Sequence, residues 1–166
     1  FTADEINRKW CTDFTYLFLA NHEVRYNCTI IDLHDRSVIA SRSECNITSE
    51  PAIRTLRKAL ESQPTIKEGL ILHSDQGSQY TSKAFTEFCE SVNVTQSMSK
   101  AGYPYDNAPM ERYFNTLKNE CTNLYEFTTE ETLYQKVEEF AYVDYNHVRP
   151  HSYNGYRTPY EARTAA

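Results

Sequence analysis

Hydrophobic and polar residues alternate over the first quarter of the chain. Phe14-Thr15-Tyr16-Leu17-Phe18, Val24 to Leu33 and Ser37 to Arg42 are rich in β-branched and aromatic side chains, which suit a pleated, half-buried surface. The breaks at Asn21-His22 and His34-Asp35-Arg36 are short and polar. Antiparallel neighbours can be joined by tight links and parallel ones cannot, so the pattern predicts a three-stranded antiparallel meander.

From residue 48 the period lengthens. Thr48-Ser49-Glu50-Pro51 supplies a capping hydroxyl and an early proline, and Ile53, Leu56, Ala59 and Leu60 follow at helical spacing, predicting an amphipathic helix that ends near Pro64. Gly69 to His73 is an apolar run of strand length. Ser82 then opens a helix with Phe85, Phe88, Cys89 and Val92 on one face, and Val94 to Ser97 reads as a further short strand. Gly102-Tyr103-Pro104 forms a loop before a helix starting near Asn107, in which Met110, Phe114, Leu117 and Cys121 make the apolar stripe. A last helix runs from about Thr129 towards His147 and stops before Pro150. This order predicts an α/β mixed sheet with helices on both faces, whose ligands bind at strand ends.

Composition narrows the class. The chain has 166 residues, 40% of them hydrophobic and 24% charged, with 4 Gly and 6 Pro, which fits a single globular domain, residues 1–166, rather than a disordered or collagen-like chain. No run of about 18 apolar residues occurs, and Phe1-Thr2-Ala3-Asp4-Glu5 has neither a basic nor an apolar opening. No membrane span or signal peptide is expected. Cys11, Cys28, Cys45, Cys89 and Cys121 form an odd set without a Cys-x-x-Cys pair, pointing away from a disulfide framework or zinc knuckle and towards reducing cytoplasm. The start at Phe1 leads us to expect a domain cut from a longer protein.

The net charge of −6 disfavours nucleic-acid binding. Its distribution weakens that objection. Six acids from Glu126 to Asp144 face only Lys136, and the remainder is nearly neutral, so a basic groove elsewhere is compatible with the total.

Three carboxylates stand out by setting: Asp13 within the first strand, Asp75 just after the fourth, and Glu111 in the first turn of the helix after the Gly-Tyr-Pro loop. Spacing alone does not single them out, since Asp32 and Glu68 are separated by the same interval. Two unit charges about 4 Å apart repel by roughly 4 kcal/mol at an effective dielectric near 20. A divalent cation reverses that sign, and an all-carboxylate set favours Mg²⁺ or Mn²⁺ over Zn²⁺. Two such ions can activate an attacking oxygen and stabilise a leaving one in a phosphoryl displacement. The alternative is an exposed strand residue, a turn former and a solvated helix residue.

Several stretches carry a resemblance: Lys9-Trp10-x-Thr12-Asp13-x-Thr15-Tyr16, Ile31-Asp32-Leu33 with Arg36, His73-Ser74-Asp75-Gln76-Gly77-Ser78-Gln79-Tyr80, Gly102-x-Pro104-x-Asp106-Asn107-Ala108-x-x-Glu111, Leu117-Lys118-x-Glu120 and Tyr145-Asn146-x-x-Arg149-Pro150-His151. In this order, over nearly the whole chain, it resembles the catalytic (integrase-core) domain of bacterial insertion-element transposases of the second-reading-frame type, relatives of retroviral integrases. The resemblance implies a ribonuclease-H-like fold, a mixed five-stranded sheet with three antiparallel strands first, flanked by helices. It implies a DDE triad of Asp13, Asp75 and Glu111, two Mg²⁺ or Mn²⁺ ions, and DNA strand cleavage followed by 3′-OH strand transfer. It also implies DNA partners at element ends and target, a homo-multimer on DNA, a bacterial cytoplasmic location, and a helix-turn-helix region or companion protein upstream of residues 1–166. Rival readings are a ribonuclease-H-like nuclease that hydrolyses without joining, and a non-catalytic DNA-binding or assembly module.

Secondary candidates surround the triad. Asn115 and Lys118 share the face of Glu111, placing an amide and an ammonium where DNA phosphates would pass. Asp106 or Asn107 reads as a helix cap in preference to a fourth metal ligand. Tyr103, Arg149 and His151 are further candidate DNA contacts, the Tyr145-to-His151 segment being either structural or DNA-facing. His73 reads as a satisfied structural imidazole.

Overall fold

A computed structural model describes residues 2–66, 68–100 and 107–165. The meander is present as β1 (Lys9–Phe18), β2 (Val24–Asp32) and β3 (Val38–Glu44). α1 (Ser49–Ser62) leads to β4 (Ile71–Ser74), the single turn α2 (Ser78–Thr81), α3 (Lys83–Ser91) and β5 (Thr95–Met98). α4 (Ala108–Glu120) and α5 (Glu130–Glu139) follow, then a π-helical stretch (Phe140–Val148) and α6 (Pro159–Thr164). The sheet order is β3-β2-β1-β4-β5, with the β3-β2-β1 pairs antiparallel and the β1-β4 and β4-β5 pairs parallel. This is the mixed five-stranded sheet expected above.

The period-two pattern of β1 divides the core. Trp10 joins Ile30, Ala52, Leu56, Leu72, Phe85 and Cys89 beneath α1 and α3, whereas Cys11 and Leu17 join Ile31, Met110, Phe114, Leu117, Leu133 and Val137 beneath α4 and α5. Each helix buries one stripe against a sheet face, and the sheet is covered on both sides.

Two helix starts follow their sequence signals. Ser82 accepts from Phe85 N–H at 3.2 Å and Thr129 from Thr132 N–H at 3.3 Å, satisfying backbone donors that have no intrahelical partner. Thr48 stands at the N-cap of α1 but makes no side-chain cap bond.

The final helix departs from expectation, since it changes to π geometry at Phe140. Its wider turn directs Tyr142 and Asn146 at the outer side of β3. Asn146 Oδ1 accepts from Val38 N–H at 2.9 Å while its Nδ2 donates to Val38 C=O at 3.0 Å, and Tyr142 Oη accepts from Ser41 N–H at 2.8 Å.

Candidate active site

β1 positions Asp13 between Cys11 and Thr15, on the sheet face that α4 covers. The last β1–β4 pair is Cys11 with His73, and Asp13 and Asp75 each follow that pair by two residues. Parallel strands in register keep equal offsets on one face. The two acids therefore share a side of the sheet where the strands part.

Asp13 is half-buried. Its Oδ1 accepts from Phe14 N–H at 2.8 Å and its Oδ2 from Asn107 Nδ2 at 3.0 Å. Burial pushes its carboxyl up to about 7; the negative charges of Asp75 and Glu111 add to the rise, and the bonds from Phe14 and Asn107 oppose it. Asp13 thus lies in the field of both other acids.

Asp75 folds into the turn after β4, where its Oδ1 accepts from Gly77 N–H at 2.8 Å. A Cβ at residue 77 would meet that oxygen at 2.9 Å and Gln79 Nε2 at 2.8 Å. Glycine leaves the oxygen room to take the backbone bond. Beneath it His73 is buried, with Nδ1 2.9 Å from Ser97 Oγ and Nε2 2.9 Å from Ser99 Oγ, the satisfied imidazole that was expected.

Glu111 occupies the first turn of α4. Met110, Tyr113, Phe114 and Leu117 bury the opposite stripe, so Glu111 is exposed. It lines a shallow groove of about 350 Å³ with Arg112, Asn115 and Asn119. Asn107 holds this helix start to β1. It takes the N-cap position without a side-chain cap bond, spends its amide on Asp13, and leaves Oδ1 buried with no hydrogen-bond partner. The expectation that Asn107 is a cap is corrected in part: it stands at the N-cap position, but its side chain donates through Nδ2 to the Asp13 carboxylate, a charge-assisted bond, and its Oδ1 accepts from no helix N–H.

Among the described residues, no three His, Cys, Asp or Glu side chains stand close enough to enclose one metal ion. The donor chemistry nevertheless fits a hard cation. Asp13, Asp75 and Glu111 present only oxygens, and burial followed by the charges of the other two acids raises the Asp13 carboxyl. Mg²⁺ or Mn²⁺ would be held by the three carboxylates.

The other candidates divide. Asn115 lines the groove beside Glu111, and Lys118 is half-buried one turn further along α4. Arg149 pairs at the surface with Glu120, its Nε donating to Oε1 and Oε2 at 3.0 and 2.9 Å. His151 is 7% exposed, with Nε2 3.0 Å from Tyr145 Oη and Nδ1 accepting from Tyr153 N–H at 3.2 Å. Both nitrogens of this buried imidazole are therefore engaged within the chain. Asp106 and Tyr103 lie outside the described residues.

Family profiles described as Integrase core domain match residues 3–104 and 92–159. The chain belongs to the integrase core domain family. This integrase core is 34% identical over 163 residues to the transposase for insertion sequence element IS904 of Lactococcus lactis, covering 96% of this chain and 62% of that protein. It is also 34% identical over 159 residues to the transposase InsF for insertion sequence IS3A of Escherichia coli (strain K12), covering 96% of this chain and 54% of that protein. It therefore spans less than two thirds of the curated relatives it matches. The HTLV-2 integrase catalytic core domain in complex with magnesium superimposes with a TM-score of 0.71 at 19% identity, covering 95% of this chain and 96% of that one. That likeness establishes a ribonuclease-H-like integrase core fold. No helix among the described residues is long and apolar enough to cross a membrane.

Proposed function

We propose that this integrase core is the catalytic domain of a DDE-type DNA transposase that cleaves a DNA strand and transfers its 3′-OH to target DNA. The observation that carries this reading is the bond from Asn107 to Asp13, which fixes the first turn of α4, and with it Glu111, at the strand end where Asp13 and Asp75 meet. Three acids from separate elements then border the same strand end, and a bound cation would draw them together. Bound there, two Mg²⁺ or Mn²⁺ ions would activate an attacking oxygen and stabilise a leaving one. Asp13 and Asp75 hold the inner position, each with one carboxylate oxygen fixed by a backbone N–H. Glu111 closes the outer side from the groove. Asn115 and Lys118 lie along the same helix face, where an amide and an ammonium would hold a phosphate backbone in line. Because cleavage and joining are both in-line displacements at phosphorus, one site serves both. The reading places the domain in the bacterial cytoplasm, as a homo-multimer on element ends and target DNA, with end recognition supplied by a helix-turn-helix region or companion protein.

The test is a branched DNA that already presents a 3′-OH beside the scissile phosphate, incubated with Mg²⁺ or Mn²⁺. Joined product is expected from the wild type, and a loss of about thousandfold from Asp75→Asn and from Glu111→Gln with melting curves unchanged. Hydrolysis without joining selects the nuclease reading. Full activity of Asp75→Asn removes the triad.

A further inference from the structure

A second cavity, of about 170 Å³, opens on the other side of the first turn of α4, lined by Arg36, Pro109, Arg112, Tyr145, His151 and Tyr153. It gathers Arg36 from the β2–β3 turn with Tyr145 and His151, residues of two sequence motifs to which the carboxylate site gives no role. Arg36 is held at φ +64°, a conformation a non-glycine residue seldom adopts. Its guanidinium lies over the Tyr153 ring, 4.1 Å from the centroid. Arg112 follows Glu111 directly in α4, so one helical turn borders both the acidic corner and this pocket.

The hydrogen-bond directions settle the sign of the ligand. Nδ1 of His151 accepts from the Tyr153 backbone N–H, which can only donate. The neutral ring therefore carries its proton on Nε2 and gives it to Tyr145 Oη at 3.0 Å. Tyr145 accepts there, so its own hydroxyl hydrogen is turned away from the imidazole, which leaves the O–H of a cavity-lining side chain to act as a donor. Among the described residues, two guanidinium groups and this O–H line the cavity as donors. Burial, together with the positive charges of Arg149, Arg36 and Arg112, lowers the His151 pKa to about 4. The potential in this pocket is positive on a chain of net charge −6.

We propose that this cavity seats one phosphodiester of a DNA strand, next to the phosphate brought to Asp13, Asp75 and Glu111, with Arg36, Arg112 and the Tyr145 hydroxyl as its donors. The seat rests on the transposase reading for its purpose. It gives a polyanion purchase beside an acidic site that otherwise repels it, and His151 is the positioning residue that aims Tyr145.

The experiment is fluorescence anisotropy of this chain with a labelled DNA duplex over a range of KCl in EDTA, which removes the metal site from the measurement. Arg36→Gln and Arg112→Gln are each expected to weaken binding about tenfold at low salt, and each to reduce the slope of log K on log salt by about one. Tyr145→Phe removes a donor but no charge, so it is expected to weaken binding about fivefold with the slope unchanged. Lys83→Gln, at an exposed position on α3, serves as the control. Arg112 is exposed, so its variant reports even where Arg36→Gln or Tyr145→Phe fails to fold. Wild-type affinity and slope in Arg112→Gln and Tyr145→Phe overturn the proposal. So does inorganic phosphate that binds the pocket without competing with DNA, since the site would then hold a free anion. Joining lost in Asp75→Asn while the pocket variants bind normally would refute the seat alone; pocket-dependent binding by a protein that never joins DNA would refute the transposase reading alone.

Discussion

Replacing Arg163 with methionine is expected to be among the most damaging single changes outside the hydrophobic core. From α6 its Nη1 donates to Asp32 Oδ2 and Asp35 Oδ2, both at 2.9 Å, and its Nη2 to Asn7 Oδ1 and Gln63 Oε1, both at 2.8 Å. The two carboxylates are 0% and 1% exposed. Removing one partner of a buried ion pair costs about 3–5 kcal/mol, because the remaining charge is stranded without water. In a protein of this size that lowers Tm by about 6–20 °C. The penalty depends on pH with a definite sign. Burial, and then the charge of Asp35, already raise the Asp32 carboxyl above its ordinary value, and losing the guanidinium raises it further. A carboxyl raised in the folded state favours folding at low pH, and that advantage is lost as pH rises through the folded pKa. The difference in Tm between wild type and Arg163→Met, followed by circular dichroism, is therefore expected to be largest near pH 8 and to shrink towards pH 5. Adding Asp35→Asn to Arg163→Met is expected to recover part of the loss. An unchanged Tm near pH 8, or a deficit that grows on acidification, would refute the reasoning.

Gly77→Ala keeps an allowed backbone, φ −58° and ψ 148°, yet forces the new Cβ against Asp75 Oδ1; strand joining is expected to fall at least tenfold while Tm changes by only a few degrees, as paired melting and joining assays would show. Asn107→Ala removes the amide bond to Asp13 and is expected to weaken Mn²⁺ binding about 10–100-fold, read by titration calorimetry. His151 is held neutral, with its pKa lowered to about 4 from an ordinary 6.5, so its contribution is complete above pH 6.5 and is lost as pH falls towards 4. That contribution is on the order of 3 kcal/mol. The stability of His151→Gln is expected to fall less steeply across that interval in denaturant titrations.

Features set by neighbours along the chain could be read from the sequence, and those set by distant partners could not. Alternation in Phe14 to Phe18 and the stripe from Met110 to Leu117 report which side meets the core, because a strand or helix repeats its exposure locally. Ser82 and Thr129, placed at helix starts, do cap them, while each hydroxyl also bonds a second group, Gln79 C=O and Thr132 Oγ1. Thr48 carries the same signal and does not cap, and the structure offers no reason for it. Asn107 shows a related ambiguity, since an amide that caps a helix and one that binds Asp13 look identical in sequence. The change to π geometry at Phe140 leaves no periodic trace; it accompanies the bonds Tyr142 and Asn146 make to β3, about a hundred positions earlier. Nothing local marks Glu120, 29 positions from Arg149, or Tyr145, six from His151, as the partner each residue takes in the fold. Asp32, set aside as one of a chance pair of acids, proved to be the buried partner of Arg163, 131 positions away.

The contacts of Tyr142 and Asn146 with β3 also limit how copies of this domain can meet. An outer strand normally offers a row of N–H and C=O groups on which another chain can extend the sheet. Here a carboxamide and a phenol imitate the missing neighbour, occupying Val38 on both its donor and its acceptor and binding Ser41. The β3 side is therefore sealed against strand addition without the help of a further strand. Copies of this domain that meet on this side do so through side-chain surfaces, and shape and charge, not a shared sheet, set their arrangement there.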